Sequence, residues 1–320
     1  MILAGDIGGT KTNLGLFEEQ KGKLVRVVHK RYISLDQAGL LEMVKDFLHD
    51  NPAKVTSAAF GIAGPVVNNA VHATNLPWVV DGAVLSKHLK LDRVWLLNDL
   101  EADAYGIGLM EPGDLQTINP GVAAPKAPRA VIAAGTGLGE AILFWDGERH
   151  LALATEAGHA DFAPSTEQQG ELWKYLKARH PFVSVETVLA GSGFKRVHEF
   201  LNPELRHPDF DEPGVDAGPG ITERGLSGEC PVCAAALNLW VEMYGSEAGN
   251  LAVRTVARGG IYVAGGIAAK ILPKMKDERF ISAATRKEKM QAFIAQIPIH
   301  VVLNEECPLI GAAYIAWTRR

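Results

Sequence analysis

The residues with the clearest chemical potential stand at the start of the chain. Ile2-Leu3-Ala4 leads into Gly5-Asp6 and the turn Ile7-Gly8-Gly9-Thr10-Lys11-Thr12, after which Leu14 and Leu16 alternate with Asn13 and Gly15. Alternation on both sides of a Gly pair predicts a β-hairpin whose glycines supply positive φ. Such a turn lets the backbone approach a ligand closely, and its successive N–H groups form a concavity that suits an anion. Thr10 and Thr12 add hydroxyl donors and Lys11 adds a positive charge, a set that fits a phosphate. Asp6 would repel that phosphate unless a divalent cation lay between them, so an Asp here implies Mg²⁺. The same glycines would also serve a hairpin with no ligand, because one Gly-rich turn is weak evidence alone.

Three further groups could do chemistry. Asn98-Asp99 falls where the apolar run Val94 to Leu97 ends and a helical pattern begins, the carboxyl edge at which α/β sheets bind ligands. An Asp there can cap the helix, and it can also accept a proton from a substrate hydroxyl that attacks phosphorus. Asn98, with donor and acceptor, suits a neighbouring sugar hydroxyl. In Thr155-Glu156-Ala157-Gly158-His159-Ala160-Asp161-Phe162 a turn could aim Glu156 and His159 at one ligand, although a structural His has the same spacing. Metal binding there would need a third ligand that the spacing does not supply. Glu186 opens a helical stretch, where a first-turn carboxylate complements the helix dipole. Cys230-Pro-Val-Cys233 has neither a second pair nor a nearby His to complete a zinc set, so its cysteines are expected to be ordinary thiols near a helix start.

The elements that must position these residues follow from pattern. A length of 320 residues predicts about two domains, each with its own core. A net charge of −5 leaves no electrostatic footprint for nucleic acid or anionic membranes. No run approaches a membrane span, and a strand beginning right after Met1 leaves no signal peptide, which predicts a cytoplasmic chain. Helices are expected at 40–48, 83–89, 100–109, 231–256 and 310–317, with a first strand opening at the apolar run 2–4 and others at 55–62, 94–97, 151–154, 259–264 and 298–303. Loops are expected at 74–78 and 203–220. Residues 111–130, with four prolines, read as an interdomain connection. Val131 to Trp145 then repeats the opening plan of strand, Gly turn (Gly135-Thr136-Gly137-Leu138-Gly139) and strand, so the architecture occurs twice.

Six motifs in this order resemble the bacterial ATP-dependent glucokinase family, of the actin/Hsp70/sugar-kinase superfamily. They are Asp6-Ile7-Gly8-Gly9-Thr10, Leu97-Asn98-Asp99, Gly135 to Gly139, Glu156-x-Gly158-His159-x-Asp161-Phe162-Ala163-Pro164, Glu186-x-Val188-Leu189-x-Gly191-x-Gly193 and Ala264-Gly265-Gly266-Ile267. With Gly311-Ala312-Ala313 near the end, the resemblance covers essentially the whole chain. It implies an α/β fold of two ribonuclease-H-like, actin-like ATPase domains with a substrate cleft between them. The smaller would hold 1–110 plus 301–320 and the larger 111–300. Asp6, Gly8, Gly9, Thr10, Lys11 and Thr12 would form the first phosphate loop, with Asp6 placing Mg²⁺ through water. Gly135, Thr136 and Gly137 would form the second, and Gly265 and Gly266 would approach the adenosine of ATP. Asn98, Asp99, Glu156, His159, Glu186 and Gly137 would surround glucose, with Asp99 as the base for its 6-hydroxyl. A homodimer is also implied.

The turn Gly-Gly-Thr-Lys-Thr is closer to the related ROK kinases and repressors, but residues 160–180 lack the ROK cysteines, which favours the non-ROK branch. A kinase for fructose, mannose or N-acetylmannosamine, a polyphosphate donor and a non-catalytic sugar sensor are the competing readings. An actin- or chaperone-like ATPase fits poorly, having no use for the Glu156, His159 and Glu186 set.

Overall fold

The structure, a computed structural model, describes residues 1–319 apart from Asn75, Asp209, Asp211 and Pro213. The expected loops at 74–78 and 203–220 therefore lie partly outside the described residues. Two compact units divide the chain. One comprises Met1–Asp114, Leu151–Ala154 and Asn304–Arg320, and the other Leu115–His150 and Thr155–Leu303.

In the first unit the short apolar run of β1 (Ile2–Ile7) is buried everywhere but at Asp6, as a central strand covered on both faces must be. It pairs antiparallel with β2 (Lys11–Gln20), which pairs antiparallel with β3 (Lys23–Ile33). On its other side β4 (Ser57–Ile62) runs parallel to it. A small antiparallel pair follows, β5 (Ala70–His72) with β6 (Val79–Asp81). It is preceded by a tight turn in which Asn68 and Asn69 take φ of 53° and 58°, the left-handed values Asn tolerates best. Strand β7 (Val94–Asn98) completes the order β3-β2-β1-β4-β7. Helix α1 (Leu40–Asp50) buries Leu40, Met43, Val44 and Phe47 against one face, and α2 (Gly82–Leu89) is capped by Asp81.

The opposite face carries α3 (Asp99–Ile107) and the C-terminal helix (Cys307–Thr318), which pack with Ile2, Ala4, Phe17 and Leu97. Their crossing is close. A Cβ on Gly311 would stand 1.9 Å from the Ala102 carbonyl oxygen, and one on Gly106 would stand 2.1 Å from that of Cys307. Both obstacles are backbone, which cannot rotate aside. Gly311→Ala is therefore expected to destabilise the protein by about 3 kcal/mol or more, read as an earlier urea midpoint. An unchanged midpoint would mean that the two helices do not meet this closely.

The second unit repeats the plan. Strand β8 (Leu115–Asn119) lies at one edge, so the proline-rich segment is only in part a connection. Strands β9 (Arg129–Ala134) and β10 (Leu138–Trp145) form the second antiparallel hairpin, with β11 (His150–Thr155) beyond it. After α4 (Glu167–Lys177), α5 (Val185–Leu189), α6 (Gly191–Leu201), α7 (Ala217–Ser227) and α8 (Pro231–Thr255), strand β12 (Ile261–Ala264) pairs parallel with β9. It leads directly into α9 (Gly265–Lys270), and β13 (Ile299–Val302) lies between β12 and β8. Helix α7 was not legible because two glycines and a proline fill its first turn, Ala217-Gly-Pro-Gly. The core centres on α8, where Trp240 stacks on Phe194 at 4.5 Å between ring centroids.

Candidate functional site

The parallel strands bring the first group of polar residues to one sheet edge. Asp6 on β1 is registered with Gly61 on β4, and Ile62 with Asn98 on β7. Two strand spacings, about 10 Å, thus separate the backbones that carry Asp6 and Asn98-Asp99. Burial pushes the Asp6 carboxyl up to about 6; a hydrogen bond from Asn13 opposes this, and the charge of Asp99 adds to it. The Asn13 amide donates to Asp6 Oδ2 at 3.1 Å, and its own Oδ1 accepts from Arg31 Nε at 3.0 Å. Asp6 is therefore held in orientation by a chain of side chains behind it.

The turn after Asp6 differs from expectation in two respects. Neither Gly8 nor Gly9 is among the residues with positive φ; a side chain at Gly8 would instead crowd the Lys11 carbonyl oxygen, 3.0 Å from the Cβ position. Thr12 is 0% exposed, and its hydroxyl bonds to Ser34 Oγ at 3.0 Å while Ser34 Oγ donates to the Gly8 carbonyl at 2.7 Å. Its hydroxyl thus braces the loop and is not a free donor to phosphate. Thr10 and Lys11 are exposed at the tip.

Capping falls to Asn98 rather than Asp99. Asn98 Oδ1 accepts from Leu100 N at 2.9 Å and from Glu101 N at 3.4 Å, and its amide donates to the Gly64 carbonyl at 3.2 Å. With 6% exposure and its oxygen committed, Asn98 keeps one amide hydrogen for any further partner. Asp99 is the first helical residue, half-buried, with Oδ1 accepting from Leu100 N at 3.0 Å.

The second unit assembles the other group. The main chain of 160–162 bonds to 183–185, with Phe162 N donating to Val183 O at 3.0 Å and Val185 N to Ala160 O at 2.9 Å. That pairing ties the turn carrying Glu156 and His159 to the start of α5, which carries Glu186. Glu156 and His159 are more than half exposed, with Oε2 and Nε2 3.9 Å apart. Glu186 Oε2 accepts from Leu138 N at 2.9 Å, so this carboxylate seats the second Gly turn. A Cβ on Gly137 would stand 2.5 Å from the same oxygen. Gly191 N donates to the Gly135 carbonyl at 2.8 Å. Gly265, at φ +84°, lies against Ala134, whose carbonyl oxygen would be 2.5 Å from a Cβ there, whereas Gly266 faces open space. Gly135, Gly191, Gly265 and Gly266 thus form one surface of bare backbone at the ends of β9 and β12.

A sequence model of the glucokinase family matches residues 3–319. A glucokinase from Nostoc sp. is 40% identical over 337 aligned residues, 99% of this chain and 98% of its own. The Synechocystis sp. glucokinase is 37% identical, covering 98% and 97%. The crystal structure of a glucokinase from an Antarctic psychrotroph superposes with a TM-score of 0.87 at 30% identity, covering 99% of this chain and 98% of that one. The chain belongs to the glucokinase family. It is an ATP-dependent sugar kinase with the actin-like ATPase fold, which it shares at a TM-score of 0.68 and 20% identity with a ROK family glucokinase from Streptomyces griseus. Among the described residues no helix is long and apolar enough to cross a membrane.

Two features of this glucokinase-family chain escaped the reading of its sequence. The first is Asp103, one turn after Asp99 on α3. Burial, with the charges of Asp6 and Asp99, pushes its carboxyl from the ordinary 3.8 up to about 8. At neutral pH Asp6 is mostly ionised and Asp103 neutral, so the acidic edge carries less charge than its composition suggests. A carboxyl raised in the folded state contributes stability that is present below its unfolded value and is lost as pH rises through its folded value. Asp103→Asn is therefore expected to gain thermal stability relative to the wild type as pH climbs from about 4 to about 8, the gap levelling off above. A gap that stays constant across that range would contradict the assignment. The i, i+4 spacing of Asp99 and Asp103, one helical turn, was the available signal.

The second feature corrects the view of Cys230 and Cys233. Cys230 does cap α8, as a helix-start thiol should, but His198 of α6 and His207 come within reach of both sulfurs. They stand 23 or more residues away in sequence, which is why spacing alone did not reveal them.

Proposed function

We propose that the chain transfers the γ-phosphoryl group of ATP to the 6-hydroxyl of glucose, giving glucose 6-phosphate and ADP. The observation that carries this reading is Asp99. It is a half-buried carboxylate at the start of α3, on a sheet edge close enough to Asp6 for its charge to raise the Asp6 carboxyl. In this role Asp99 accepts the 6-hydroxyl proton as the oxygen attacks phosphorus. Glu156, His159 and Glu186 bind the other sugar hydroxyls, and Asn98 contributes the one amide hydrogen its capping role leaves. Gly8 N and Gly135 N close their own turns on the Lys11 and Gly137 carbonyls, the backbone N–H groups within those turns donate to the phosphates, and Gly265-Gly266 admits the adenosine without a side chain in the way. Thr12 takes part only by shaping the loop.

Asp6 fits Mg²⁺ held through water, because a cation would offset the cost of charging a carboxyl that burial, with the charge of Asp99 adding to it, has raised. When bound, Mg²⁺ neutralises phosphate charge. The homodimer that the resemblance implies belongs to the same proposal, and sedimentation at assay concentration reads it out.

A coupled ADP-release assay with Mg·ATP tests the reading across glucose, mannose, fructose, N-acetylglucosamine and no sugar. The expected result is a kcat/KM for glucose at least ~10² above every other sugar, since an unmatched hydroxyl leaves buried groups unpaired. A larger value for another hexose would overturn the specificity, and turnover independent of sugar would overturn the acceptor.

A further inference from the structure

We propose that His198, His207, Cys230 and Cys233 form a structural zinc site within the second unit. Their four ligand atoms, two imidazole nitrogens and two thiol sulfurs, all lie within 4.8 Å of one another. His207 Nε2 is 3.8 Å from Cys230 Sγ and 3.6 Å from Cys233 Sγ. A tetrahedral zinc ion with Zn–S of about 2.3 Å and Zn–N of about 2.0 Å requires sulfur–nitrogen edges of ~3.5 Å, close to those separations. The donor set of two thiolates and two imidazoles suits zinc rather than Mg²⁺ or Ca²⁺, which take oxygen ligands.

The local structure is that of a metal-binding turn. Cys230 caps α8 with Pro231 at the first helical position, and Cys233 N donates to Cys230 Sγ at 3.4 Å. A backbone N–H aimed at a ligand sulfur, at the positive end of a helix, stabilises the thiolate that zinc needs. The His198 and His207 rings stand 5.2 Å apart between centroids and inclined at 61°, so their nitrogens can converge without stacking. His198, Cys230 and Cys233 are buried and His207 half-buried. Four protein ligands with so little exposure leave no position for water or substrate, which makes the site structural rather than catalytic.

Its place in the fold gives it a purpose. The ion would join α6, the segment after it and the start of α8; the 29 residues between Leu201 and Pro231 hold one helix among the described residues, α7. Helix α6 in turn touches the sugar-side residues. Arg196 donates to the Thr187 carbonyl at 2.8 Å on α5, and Gly191 N donates to the second Gly turn. Zinc would therefore anchor the far end of the helix whose near end braces Glu186 and Gly135. This placement is independent of the catalytic assignments above.

The test uses the full chain without a polyhistidine tag, equilibrated with zinc chloride and desalted. The expected content by plasma mass spectrometry is about one zinc per chain, with an X-ray absorption first shell of two sulfurs near 2.3 Å and two nitrogens near 2.0 Å. Cys233→Ser and His207→Ala are each expected to hold less than ~0.2 equivalents, whereas Cys307→Ala, which removes the thiol outside the cluster, keeps the full content. Prolonged treatment with a strong chelator should lower the wild-type melting temperature by about 5 °C or more and leave His207→Ala unmoved. His207 is the more exposed ligand, so that variant reads the site even where Cys233→Ser does not fold. Wild-type protein holding less than ~0.1 equivalents after zinc equilibration would overturn the proposal. So would zinc that persists in the His207→Ala variant.

Discussion

Asp99→Ala is expected to lower kcat for glucose phosphorylation by at least ~10², about 2.7 kcal/mol of transition-state stabilisation, with KM for ATP changed less than about threefold. The argument is one of position and charge. Asp99 opens α3 directly beyond β7, and its carboxylate and that of Asp6 feel each other's charge. A group that accepts a proton only as the hydroxyl attacks contributes to the transition state and little to binding, so its loss falls on kcat. The fold should survive the change, because Asn98 supplies the cap that α3 needs. Asp99→Asn separates the two roles further: it keeps the size and the acceptor oxygen for Leu100 N but cannot take a proton. A near-normal kcat in either variant would contradict the assignment of the base.

The second large effect is expected at Glu186. Its carboxylate seats the second Gly turn through Leu138 N and packs where any side chain on Gly137 would stand. Glu186→Ala removes the support of that turn and an acceptor for a sugar hydroxyl together. A fall in kcat/KM for glucose of about 10²–10³ is expected, carried mainly by KM, because a buried hydrogen-bonding group left unmatched costs several kcal/mol. Glu186→Gln keeps an acceptor for Leu138 N and should recover part of the loss. If both variants bind glucose as the wild type does, Glu186 serves the turn alone.

What the sequence disclosed and what it hid differ in kind. Local signals were reliable where a short run had one satisfactory structure. The hairpin around the first Gly turn, the abrupt end of the strand at Asn98 and the second hairpin expected at 131–145 all formed, although the glycines of the first turn do not take the positive φ expected of them. The order of six motifs was enough to identify the family. The work inside those motifs was less legible, because it depends on neighbours that approach only in three dimensions. Thr12 looked like a phosphate donor until Ser34, 22 residues on, took its hydroxyl. Asn98 and Asp99 are adjacent and both can cap, and only the backbone geometry decided that Asn98 does so. Asp103 carries no motif; its raised carboxyl comes from burial, with Asp6 on β1 and Asp99 one turn earlier on the same helix adding to it. His198 and His207 are ordinary residues in sequence and gain meaning only beside Cys230 and Cys233.

The central claim, phosphoryl transfer from ATP to one sugar hydroxyl, is tested most directly by identifying the product. Wild-type protein incubated with Mg·ATP and glucose should yield ADP and glucose 6-phosphate in equal amounts, with phosphorus–proton coupling in the NMR spectrum placing phosphate on carbon 6. ADP without a phosphorylated sugar, or phosphate on any other hydroxyl, would contradict the account.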